Sequence, residues 1–220
     1  MLSMKSFINF KKAFTLSEVL MTLGIIGICA AVTMPNLYVD VRNAELQSKL
    51  KKEYAAIQNA VLLVAIEDSN FGNNFTAFTY KDKLKKHFNL AKDCNINCYS
   101  VNELKTIYKT FSNQVGNVNY FASGQFFLEN GSLIMINNTL PNQVIISVDL
   151  NGPSKNPNIW GVDVFSFKLS EKGIPQPGGY PGTNSADPGY CSKTSDDPYN
   201  GFGCAYKALY DKSYWWKIRK

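Results

Sequence analysis

No charged residue occurs between Val19 and Val39, a run of 21 positions. At ~1.5 Å per residue such a run is ~30 Å long as a helix, the thickness of a bilayer's hydrocarbon core. Lys5, Lys11 and Lys12 stand ahead of it. Basic residues beside an apolar span stay on the cytoplasmic side, which predicts a single-pass chain whose remainder is exported. Glu18 sits at the entrance of the run. A carboxylate in a membrane helix costs roughly 2.5–3.5 kcal/mol, less near the interface, and ordinarily has a partner and a purpose.

The stretch Lys11-Lys12-Ala13-Phe14-Thr15-Leu16-Ser17-Glu18-Val19-Leu20 resembles the prepilin peptidase site of type IV pilins and type II secretion pseudopilins. The resemblance implies cleavage between Ala13 and Phe14, N-methylation of Phe14, and an assembly role for Glu18 facing the new α-amine of a neighbouring subunit. The family most often has Gly before the cut; here the residue is Ala13. Pro35, 21 positions after Phe14, matches the kink position of many pilin helices. The implied organisation is a leader over 1–13, a membrane and assembly helix over 14–37, and an exported pilin-like domain over 38–220. The implied partners are other pilin or pseudopilin subunits, prepilin peptidase and an inner-membrane assembly platform. The implied location is the bacterial inner membrane, then a filament. Two other readings start from the same residues: a secretory signal cut near Cys29-Ala30-Ala31, and a lipoprotein signal ending at Cys29. The early Glu18 counts against the first, and the bulky Ile28 before Cys29 against the second.

Removing three leader lysines lowers the formal charge from +6 to +3, too mild to argue by itself for nucleic acid. Four cysteines, Cys94, Cys98, Cys191 and Cys204, lie beyond the apolar run. An even number on the exported side points to disulfides. Sequence leaves the pairing open; Cys94–Cys98 and Cys191–Cys204 are the economical choice. Zinc is the alternative, although the single histidine, His87, is not beside them.

Leu50, Tyr54, Ile57, Val61 and Val64 recur at helical spacing, opposite Lys49, Lys51, Lys52, Glu53 and Gln58. The pattern extends the helix to about Ser69, bent near Pro35 where a backbone hydrogen bond is lost. A short basic helix is predicted over Tyr80–Leu90, with Lys81, Lys83, Lys85 and Lys86 as a cationic face and His87 on the surface. A second short helix is predicted over Glu103–Phe111. Strands are predicted over Val118–Phe121, Gln125–Leu128, Ser132–Ile136, Val144–Leu150 and Val162–Leu169, with Asn130-Gly131 as a hairpin turn. Residues 173–203 read as an extended loop, and 205–209 as a short helix. Tyr214, Trp215 and Trp216 read as a cover for the sheet edge or the helix. The fold class is α+β: a long helix packed on an antiparallel sheet.

Asp149-Leu150-Asn151-Gly152, with Asp163 further on, resembles a loop common in pseudopilin-like domains. Asp149, Asn151 and Asp163 are candidate calcium ligands. The competing reading is an Asx-rich turn whose side chains bond their own backbone. Lys155 lies inside the loop and no glutamate closes it, which favours the turn. No Ser-His-Asp set, metal-ligand cluster or phosphate loop is visible, so no enzyme activity is expected. The expected function is structural, as a subunit of a secretion or pilus-like filament; the alternative is a DNA-binding minor pilin of a competence pilus.

Overall fold

The computed structural model describes residues 14–68, 77–94, 97–140, 143–170 and 173–218. The chain forms two units, Met1–Arg42 and Asn43–Lys220. A single helix, α1 (Leu16–Glu67), runs from the first into the second. Pro35 lies inside α1, and its side chain is outside the described residues, as is Ala13.

Among the described residues of the first unit most large apolar side chains are exposed: Phe14 is 85% exposed, Leu20 61% and Ile28 69%. The helix is long and apolar enough to cross a membrane.

The second unit is α+β. Its six-stranded antiparallel sheet runs in simple chain order: β1 (Leu90–Asp93), β2 (Gly124–Leu128), β3 (Leu133–Leu140), β4 (Gln143–Asp149), β5 (Val164–Leu169) and β6 (Pro175–Pro177). The architecture is compatible with a pilin-like fold. The period-two alternation of β3 splits it between two cores. Ile134 and Ile136 join the cluster containing Leu46, Leu50, Ile57 and Val64 of α1. Leu133 and Met135 join a second cluster with Leu104, Phe121, Trp160 and Phe202. Each fully buried side chain of this size contributes roughly 1.5–3 kcal/mol. Tyr54 adds a ring stacked on Phe167 at 5.0 Å, and its hydroxyl donates to Pro175 O at 3.1 Å.

Asn130-Gly131 turns the chain between β2 and β3 as expected. Gly131 has φ +86°, and Asn130 Oδ1 accepts from Ser132 N at 3.0 Å. Val118–Phe121, expected as a strand, is instead a 3-10 turn started by Asn117, whose side chain accepts from Asn119 N. The predicted helix over 80–90 divides into α2 (Ala77–Leu84), a 3-10 turn Lys85–His87 and β1. The helix expected over 103–111 is α3 (Val101–Ile107), started by a Ser100–Glu103 capping box. The 173–203 loop contains the short edge strand β6. Proline suits such an edge, where a missing N–H interrupts no further ladder. α4 (Cys204–Tyr210) and α5 (Tyr214–Lys217) close the fold. Tyr214 and Trp215 are buried as the expected cover, while Trp216 stays 58% exposed.

Candidate functional site

The start of α1 is built by Thr15 and Glu18. The Glu18 Oε2 atom accepts from Thr15 N and Thr15 Oγ1, both at 2.8 Å, and Glu18 N donates back to Thr15 Oγ1 at 3.2 Å. This is a capping box, which satisfies two otherwise orphaned donors at a helix start. The Thr-x-x-Glu spacing signals it in the sequence. Oε1 of the same carboxylate has no partner among the described residues. Glu18, expected from the resemblance as the assembly residue, is therefore also the helix cap, with one oxygen committed and one open. Phe14 precedes the box, 85% exposed. Ala13, the other half of the expected cleavage site, lies outside the described residues.

The expected cationic face is not a free one. Lys81 is 1% exposed and pairs with Asp93 Oδ1 at 3.0 Å. Lys83 pairs with Asp68. Lys85 bridges Asp82 at 2.8 Å and Asp93 at 2.7 Å, and these two aspartates push its ammonium pKa up. Three of the four lysines are thus neutralised locally, and Lys81 is part of the interior. His87, expected on the surface, has a side chain only 12% exposed; its Nε2 lies 3.5 Å from Glu67 Oε2 and makes no hydrogen bond among the described residues. Glu53, expected on the polar face of α1, is 2% exposed and accepts from Asn130 Nδ2 at 2.6 Å. Burial pushes the Glu53 carboxyl up, and the Asn130 bond offsets part of that.

Cys94 and Cys98 form one pair, with Cα atoms 4.9 Å apart, and Cys191 and Cys204 another, at 5.0 Å. Both separations suit a disulfide. Cys29 is unpaired and exposed.

The structure brings Asp149 and Asp163 together but turns their oxygens onto protein donors. Asp149 Oδ1 accepts from Asn151 N at 3.2 Å and Gly152 N at 2.9 Å, while Oδ2 accepts from the Tyr108 hydroxyl at 2.9 Å. Asp163 accepts from Asn158 N at 3.0 Å and Ile159 N at 2.8 Å. Asn151 donates through Nδ2 to Lys155 O at 3.0 Å. The acceptors left over, Asn151 Oδ1 and Asn158 Oδ1, are neutral amide oxygens. Calcium draws on charged oxygens, and here both carboxylates are committed elsewhere. These residues do not fit a calcium site in this arrangement, and they do fit an Asx-rich turn. No group of three or more His, Cys, Asp or Glu side chains is placed to hold a metal among the described residues. Burial, then the neighbouring Asp163, pushes Asp149 up to about 7. Burial and Asp149 push the Tyr108 hydroxyl well above its usual range.

No protein-family model, curated protein or solved structure matches this chain.

Proposed function

We propose that this chain is a structural subunit of a pilin-like filament, a pseudopilin or minor pilin, inserted in the membrane as a precursor and cut between Ala13 and Phe14. One observation carries the reading. An apolar helix with bare side chains begins at a carboxylate that caps its own backbone through one oxygen and keeps the other open.

That helix needs a cover, first lipid and then the same helix of other subunits. Cleavage creates an α-amine at Phe14. The open oxygen of Glu18 receives a neighbour's amine, and the charge that is costly alone becomes a selector for correct stacking. Removing one member of a desolvated pair costs roughly 3–5 kcal/mol. The partners are other pilin-like subunits, prepilin peptidase and a membrane assembly platform; the work is mechanical, with no enzymatic step.

The test is Glu18→Gln. Glutamine also serves in a capping box, so the helix start survives while the charge is lost. The variant should insert and be cleaved normally but be absent from sheared filaments. Incorporation at the wild-type level would contradict the proposal.

A further inference from the structure

A cleft of about 550 Å³ opens on the second unit, within the roughly 300–1,000 Å³ range of small-molecule pockets. Its sheet residues are Ile145 of β4 and Lys168 of β5, and Tyr120, Tyr190, Tyr199 and Phe202 supply rings. Tyr120 lies 5.2 Å from Tyr199 and 5.6 Å from Phe202, centroid to centroid. Ser185 adds a hydroxyl.

The wall is a loop held in place. The chain between Pro177 and Cys204 has only two 3-10 turns, and loops beyond roughly 12–15 residues are functional or disordered. This one is tied down. Gly201 N and Gly203 N both donate to Tyr190 O, at 2.8 and 3.0 Å. Tyr190 adjoins Cys191, which is paired with Cys204. A side chain at Gly201 would meet Trp160 O at 2.5 Å, and the residue has φ +119°. The buried Asn200 donates to Ser192 O at 2.7 Å and Ser195 O at 3.0 Å.

The lining has open valences. The Lys168 ammonium and the hydroxyls of Tyr120 and Tyr190 have no hydrogen-bond or ion-pair partner among the described residues. Asn117 donates to Tyr199 Oη at 2.7 Å, leaving that hydroxyl's own proton to give. Phenol rings combine an apolar face with a polar tip, the complement of a pyranose ring with one C–H face and a rim of hydroxyls. An ammonium lacking an acidic neighbour complements a carboxylate. Peptide strand addition is disfavoured, because β4 and β5 are paired along both edges. A nucleic-acid strand calls for a cationic track, and one lysine is not that.

We infer that this cleft binds an acidic saccharide, its ring against the tyrosines and its carboxylate on Lys168. The inference goes beyond the filament reading and does not depend on it, since every residue belongs to the second unit.

The experiment is saturation-transfer NMR and calorimetry on the full chain in detergent micelles. The probes are glucuronic acid, N-acetylneuraminic acid and neutral glucose, with an extended peptide and a thymidine oligonucleotide as competitors. A charge-assisted contact predicts acidic sugars binding about tenfold more tightly than glucose at low salt. Lys168→Met should erase that preference, and Tyr120→Ala should weaken every sugar about tenfold. The melting temperature of each variant reports whether it remains folded. Three results would each overturn the inference: no sugar bound by the wild type, the acidic preference surviving in Lys168→Met, or a peptide or thymidine oligonucleotide preferred over every sugar.

Discussion

The Tyr108 hydroxyl donates to Asp149 Oδ2 at 2.9 Å, beneath a turn where Asp149 also feels a second buried carboxylate, Asp163. The folded chain holds the Asp149 proton more tightly than the unfolded chain does, with its pKa moved from 3.8 to about 7. Between those values the unfolded state has lost its proton and the folded state keeps it, so the slope of stability with pH is negative. This group's stabilisation is complete below about pH 4 and gone above about pH 7, at most on the order of 4 kcal/mol. Denaturant titrations from pH 4 to 8 should show the decline, and Asp149→Asn should flatten it. An unchanged slope in the variant would place its origin elsewhere.

Thr15→Ala separates capping from assembly in the opposite direction to Glu18→Gln. It removes the hydroxyl that bonds Glu18 at a cost of about 1 kcal/mol to the helix start, and keeps the carboxylate. Thr15→Ala should enter filaments within about twofold of wild type, roughly 0.4 kcal/mol. Loss as severe as in Glu18→Gln would make the cap, not the charge, the essential element.

Asp93 holds the interior Lys81 at 3.0 Å. Asp93→Asn leaves that ammonium without its partner, at a cost near the low end of roughly 3–5 kcal/mol because Asp93 itself is partly exposed. Lys81→Met, which removes the charge and keeps the stem, should cost about 1.5 kcal/mol or less. Denaturation of the two variants side by side checks the order.

Under non-reducing conditions a thiol reagent should label Cys29 alone, because the other four cysteines are paired. Releasing the Cys191–Cys204 bridge, a separation of 13 residues, should lower stability by about 3 kcal/mol in the chain-entropy model. Stoichiometric labelling of further thiols in the native protein would count against the pairing.

The apolar span, the strands around Asn130-Gly131 and the core-facing stripe of α1 were legible because each rests on a periodicity or a turn with its own physics. Val118–Phe121 was misread because its β-branched and aromatic residues favour strands only where a partner strand is available; here Asn117 starts a tight turn instead. β1 and β6 are short and composed of residues that carry no strand signal, Leu-Ala-Lys-Asp and Pro-Gln-Pro. The burial of Glu53 had a signal that its charge obscured: Leu46, Leu50, Glu53, Ile57, Ala60 and Val64 alternate in steps of four and three, and all are buried. The ion pairs that neutralise Lys81, Lys83 and Lys85 join helix α2 and its following turn to residues elsewhere, which local spacing does not reveal. The capping role of Glu18 was written in Thr15-x-x-Glu18 and lay hidden behind the prepilin-like stretch that it overlaps.

The central claim is that the first turn of α1 is a polymerisation handle made by cutting the chain. Mass spectrometry of the N-terminal peptide from membrane and sheared fractions tests it most directly. The account predicts a chain beginning at Phe14, its α-amine carrying one methyl group. A chain that still begins at Met1, or one that begins near Thr33, would contradict it.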